Sequence, residues 1–162
     1  FESHPTLGYN YRMTDIQAAV GREQLRRLDE IVAGRRSIAQ QYMKLLMDIP
    51  GLRLTSEPNW GRSNWQSFCV GLPPDTNQRN VMQSMLDAGV ATRRGIMCSH
   101  RERPYASDDF QLSLQNSEFA QDNCIILPLF VQMTPEDVST VVHSLAHALG
   151  LKGLAMPSNT TG

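Results

Sequence analysis

Lysine is scarce in this sequence: of 15 basic residues in 162, only Lys44 and Lys152 are lysines, and the other thirteen are arginines. Any chemistry that needs a primary amine thus has two side chains to draw on. Cysteine is sparse too. Cys69, Cys98 and Cys124 are odd in number, widely spaced and without a CxxC pair, which excludes a disulfide framework and leaves a structural zinc site unsupported. No apolar run approaches the ~20 residues that span a bilayer. The opening FESHPTLGYN has neither the basic start nor the apolar stretch of a signal peptide, so no membrane partner is expected and a cytoplasmic location is the simplest reading. Charge of one sign is also lacking. A net charge of -1, a pI near 6.5 and basic residues scattered along the chain argue against nucleic acid as a partner. Phosphate-cradling glycine loops, GxSxG elbows and HExxH zinc helices are absent.

What is present fits one soluble domain with a single core. Thr14-Asp15-Ile16-Gln17 has capping-box form and predicts a helix start. From Ile16 to Ile49 apolar residues recur at three- and four-residue steps, including Val20, Leu28, Ile31, Ile38, Tyr42 and Leu46. Gly21 and Gly34 predict a kink, or a split near Leu28 or Gly34, and Pro50-Gly51 ends the run. Leu52 to Thr55 and Trp65 to Leu72 read as two strands joined by a polar loop. Asn77 to Ala88 reads as a helix capped by Gly89, followed by extended residues 90–93. Residues 95–112 carry no period and predict a long loop. Cys124 to Leu129 is a short apolar run. Thr134-Pro135-Glu136-Asp137 opens a last helix that ends before Gly150, and residues 151–162 form a frayed tail. The fold class that follows is α+β: a small sheet covered by helices.

Two places gather polar chemistry. Gly8 to Met13 sets two tyrosines, Asn10 and Arg12 before a helix start, where free N–H groups and the helix dipole favour an anion; a segment that merely staples the helix fits equally. The aperiodic loop holds His100 among Arg93, Arg94, Arg101, Glu102, Arg103 and Tyr105, enough cations and a titratable ring to hold an anionic substrate, or simply a solvated loop. His143 and His147 lie one helical turn apart without a third ligand, so no metal site is expected.

The run Gly8-Tyr9-Asn10-Tyr11-Arg12-Met13-Thr14-Asp15-Ile16-Gln17-Ala18-Ala19-Val20-Gly21, with Gln24-Leu25 after it, strongly resembles the G-x-N-x-R-M-x-x-I-Q-A-A-x-G-x-x-Q-L signature of the DegT/StrS family of pyridoxal-phosphate-dependent sugar aminotransferases. The likeness continues through Trp65-Gln66-Ser67-Phe68, Gly89 to Gly95, His100 to Tyr105, Leu127-Pro128-Leu129 and Met133 to Asp137. It implies the C-terminal small domain of a fold-type I enzyme: residues 1–27 joining a larger cofactor domain, residues 28–150 the small domain, residues 151–162 a tail. Beginning at Phe1 in a loop, the chain reads as a piece of something longer.

By this resemblance Asn10 reaches the cofactor phosphate of the other subunit of a homodimer, and Arg12, His100 and Tyr105 line the substrate site. Arg103-Pro104 stands where the family pattern has proline followed by a small residue. The implied reaction is ping-pong transfer of an amino group from glutamate to a keto nucleotide-sugar. The Schiff-base lysine of the family lies in the upstream domain. Lys44 and Lys152 match no such context and read as solvated, so no catalytic residue is expected in this chain, no pyridoxal phosphate is expected on it alone, and it should be inactive in isolation. A stand-alone interaction domain, or a member acting on a cyclitol or in regulation, remains open.

Overall fold

The computed structural model describes residues 6–105 and 113–151. Lys152, the rest of the expected tail, residues 1–5 and residues 106–112 of the expected loop lie outside the described residues.

The capping box forms at Thr14: its hydroxyl accepts the Gln17 N–H and the Gln17 side chain accepts the Thr14 N–H, opening α1 (Asp15–Leu25). The chain then breaks at Arg26 and Arg27 and resumes as α2 (Leu28–Leu46), so the split falls at Leu28 rather than Gly34. Gly34 stays helical for a packing reason. A Cβ there would lie 2.8 Å from Val131 Cγ1, so its absence lets the loop after the last strand close on the helix.

Four short strands follow: β1 (Arg53–Leu54), β2 (Phe68–Gly71), β3 (Arg93–Arg94) and β4 (Cys124–Leu127). They form an antiparallel sheet of order β1-β2-β4-β3. Between them run α3 (Gln78–Asp87), capped by the Asn77 side chain, and α4 (Gln115–Asn123), for which the sequence offered no period. α5 (Pro135–Ala148) closes the chain with a second capping box, Thr134 with Asp137.

Register explains the core. Phe68 pairs with Leu127 and Val70 with Ile125, so these four share one sheet face. That face meets Ile38, Tyr42 and Leu46 of α2, Val81 and Met85 of α3, and Val138, Val142 and Leu145 of α5 in one buried cluster. Each large side chain so buried contributes about 1.5–3 kcal/mol. Tyr42 lies against Phe68 with ring centroids 5.0 Å apart and donates its hydroxyl to Pro128 O at 2.7 Å. Burial raises that phenol well above its ordinary pKa, so it remains a neutral donor. The apolar stripe read along the first 49 residues divides accordingly: burial begins at Ile38, while α1 buries none of its residues.

The loop from β1 to β2 is held by one ion pair. Arg36 bonds both Glu57 oxygens, at 2.9 and 2.8 Å, and also Ser63 O; the Ser63 N–H donates to Glu57 Oε1 at 2.5 Å. The Arg36 hydrogen bonds, then the Ser63 N–H, hold the Glu57 carboxyl below its ordinary pKa. A depressed carboxylate adds stability that is complete above its unfolded pKa and lost as pH falls through the folded value. The Ser63 amide resonance should therefore titrate with a midpoint below the ordinary glutamate value; a midpoint at or above it would show the pair to be weak in solution.

Candidate functional site

The residues just before α1 and the loop after β3 meet. Thr6 to Arg12 and Met97, Ser99, Glu102, Pro104 and Tyr105 line one cavity of about 810 Å³. Three of the four expected site residues are brought together there: Asn10, Arg12 and Tyr105.

Local chemistry sets the first two. Asn10 Oδ1 accepts the Arg12 N–H at 2.9 Å, an Asx turn that supports Arg12 at φ 70°, a conformation costing a non-glycine residue roughly 1–2 kcal/mol. With Oδ1 so engaged, the amide's Nδ2 is the group left to donate to an incoming acceptor. Arg12 brings a guanidinium fork to the same cavity, and Glu102 a carboxylate. Tyr9 and Tyr11 stand 6.3 Å apart beside them.

The opposite wall is built of two single-turn 3-10 helices, Ser99–Arg101 and Arg103–Tyr105. Gly95 starts it, its N–H donating to Cys124 O at 2.8 Å. His100, the fourth expected residue, does not line the cavity. Its Nε2 lies 3.1 Å from Glu118 Oε1 on α4, and its side chain is only 16% exposed. Arg101 bonds Glu118 at 3.1 Å and Asp122 at 2.7 Å, and the Cys98 N–H donates to Gln121 Oε1 at 2.6 Å. Cys98 is buried, and burial raises its thiol pKa, which disfavours the thiolate that a nucleophile needs.

Sequence reasoning missed α4 and with it Glu118, Gln121 and Asp122. Their i, i+3, i+4 spacing was the available signal: a polar stripe on one helical face. His143 and His147 are exposed on α5, and Lys44 is exposed on α2. Among the described residues no group of three or more His, Cys, Asp or Glu side chains is arranged to hold a metal, and no helix is long and apolar enough to cross a membrane.

Solved structures share this architecture. The aminotransferase TlmJ from Streptoalloteichus hindustanus aligns with TM-score 0.75 and 29% identity over 85% of this chain and 37% of that one. Helicobacter pylori PseC, an aminotransferase involved in the biosynthesis of pseudoaminic acid, aligns with TM-score 0.77 and 19% identity over 90% of this chain and 40% of its own. E coli GDP-4-keto-6-deoxy-D-mannose-3-dehydratase, solved with bound hydrated PLP, gives 0.70 and 21% over 85% and 36%. The latter two likenesses concern the fold alone. This chain spans 36% to 40% of the length of these three proteins. Residues 1–146 match the sequence model of the DegT/DnrJ/EryC1/StrS aminotransferase family, and this chain belongs to that family.

Proposed function

We propose that this chain is the small-domain portion of a pyridoxal-phosphate-dependent enzyme that transfers an amino group from glutamate to a keto carbon of a nucleotide-linked sugar. The observation that carries this reading is the cavity in which Asn10 and Arg12 meet Tyr105. Residues 1–27 join a cofactor domain, residues 28–150 form the small domain, and two subunits complete each other's sites.

Pyridoxal phosphate, when bound, supplies the electron sink for the carbon that gains or loses the amino group. The residues present suit its phosphate end, because the Asx turn leaves the Asn10 Nδ2 as a donor beside a helix start. Asn10 holds that phosphate on the partner subunit. Arg12 binds a substrate phosphate or carboxylate through its fork, Tyr105 walls the sugar, and His100 supports the wall from behind. Among the described residues no lysine lines this cavity to serve the amine end. Lys44, the only lysine among the described residues, borders a different groove with Gln40 and Leu54. By the family resemblance the cofactor lysine belongs to another part of the protein, and on this reading the chain is inactive alone. The exposed Ile16, Val20 and Leu25 of α1 offer the apolar surface that the cofactor domain or the second subunit covers.

The test compares this chain with the protein that carries its cofactor domain. Each is mixed with pyridoxal phosphate, reduced with borohydride, and assayed with glutamate and a panel of keto nucleotide-sugars. The chain alone should show no saturable adduct and no transfer, while the larger protein should yield 2-oxoglutarate and an amino sugar in equal amounts. An adduct at one specific lysine of this chain with turnover of glutamate, or no transfer by the larger protein, would contradict the reading.

A further inference from the structure

The cavity wall formed by residues 97–105 has little internal support. Its first 3-10 turn is closed by two backbone bonds, Arg101 N–H to Cys98 O at 2.9 Å and Glu102 N–H to Ser99 O at 3.1 Å, and its second by one, Tyr105 N–H to Glu102 O at 2.9 Å; short turns of this kind are marginal without outside contacts. α4 supplies outside contacts to the wall, two of them through one carboxylate. Glu118 Oε1 faces His100 Nε2 at 3.1 Å and accepts the Leu114 N–H at 3.1 Å, while Oε2 takes Arg101 Nη2 at 3.1 Å. Arg101 in turn reaches Asp122, and Gln121 takes the Cys98 N–H. α4 buries only Gln121, and its side chains tie it to this wall through Cys98, His100 and Arg101.

We propose that Glu118 is a positioning residue for the cavity wall, fixing His100 as its Nε2–H tautomer and anchoring residues 97–105 on α4. An ionised carboxylate only accepts hydrogen bonds, so the ring nitrogen facing it carries the hydrogen and Nδ1 is left as the acceptor of the neutral ring. His100 and the Leu114 N–H, with Arg101, hold the Glu118 carboxyl below its ordinary pKa, in keeping with an ionised acceptor at neutral pH. Whatever His100 contributes to the wall then comes through Nδ1 or through its shape, its Nε2–H being committed to Glu118. The inference rests on the amino-transfer reading only for the identity of the ligand; the tautomer and the anchoring stand on geometry.

The test uses protein labelled with 15N at histidine, and its ring nitrogen shifts with His100 assigned by Glu118-independent substitution of His100 itself. In the unaltered protein, at a pH where the ring is neutral, Nε2 should resonate as a protonated nitrogen and Nδ1 as an unprotonated one. Glu118→Leu should let both tautomers populate and speed amide exchange across residues 97–105 about tenfold or more, as expected for losing a hydrogen bond to a charged group. Glu118→Gln should recover the tautomer but not the protection at Arg101, because a Gln amide offers one acceptor in place of two. In the aminotransferase the Leu variant should raise KM for the amino acceptor more than it lowers kcat. An Nδ1–H tautomer in the unaltered protein, which needs no variant to measure, overturns the proposal, as does a Leu variant that keeps the original tautomer and protection. If the protein transfers no amino group yet the tautomer responds as stated, the positioning role stands and the amino-transfer reading falls.

Discussion

Replacing Gly95 with alanine should cost about 3 kcal/mol or more, beyond the usual range for one added methyl group. A Cβ at this position would sit 2.2 Å from Ala120 O and 2.8 Å from Cys124 Cβ. The first of these atoms is backbone at the end of α4, so no side chain can swing aside to make room. Relief requires β3 and the residues after it to move away from β4, breaking the Gly95 N–H bond to Cys124 O. For a domain of this size such a loss lowers Tm by roughly 6 °C or more. Because Gly95 leads directly into the wall at Met97 to Tyr105, ligand binding at the cavity should weaken too. Gly21 is the internal control. In this chain by itself nothing outside the adjoining helix backbone lies within 4 Å of a Cβ there, so Gly21→Ala in the isolated chain should be neutral or should stabilise by up to about 1 kcal/mol through helix propensity. Equal melting temperatures for Gly95→Ala and the parent would show that the β3 exit is not packed as described.

Asn10 allows its two jobs to be separated. Its Oδ1 holds the turn at Arg12, and its Nδ2 is the proposed donor to the cofactor phosphate. Asn10→Asp keeps an acceptor for the Arg12 N–H but replaces the donor with a negative charge facing a phosphate. Asn10→Ala removes both. If the residue only shapes the turn, Asp should restore cofactor affinity to near that of the parent. The phosphate contact predicts the reverse order: Ala weakens cofactor binding about tenfold or more, from loss of a charge-assisted bond of roughly 1.5–3 kcal/mol, and Asp weakens it further by repulsion. Equilibrium dialysis of pyridoxal phosphate against the three proteins reads this order directly.

Much of this architecture was legible because local chemistry and tertiary packing agree. Thr14 with Gln17, and Thr134 with Pro135 and Asp137, announce their helices through caps that form as written. Gly89, at φ 81°, ends α3 where a left-handed residue was expected. Phe68 to Gly71 read as a strand because its core positions carry large apolar side chains; Cys124 to Leu127 read only as a short apolar run, and its pairing with Phe68 to Gly71 makes it a strand. α4 was harder to see for the opposite reason: its sequence QNSEFAQDN has no apolar period, and the contacts of Glu118, Gln121 and Asp122 are hydrogen bonds and ion pairs to residues far along the chain. The cavity was half legible. Asn10, Arg12 and Tyr105 stood out by residue type and by resemblance, but the turn of His100 toward Glu118 depends on a helix that the sequence did not announce.

The central claim is that this chain completes a cofactor site on another subunit, and mixed dimers test it most directly. One subunit would carry Asn10→Ala with its cofactor lysine intact; the other would carry native Asn10 with that lysine, located by borohydride reduction, replaced. If Asn10 acts across the dimer, the site with the intact lysine receives a native Asn10 from its partner and binds pyridoxal phosphate with parental affinity. If that site binds no better than the sites of the Asn10→Ala homodimer, Asn10 does not reach across and the account is contradicted.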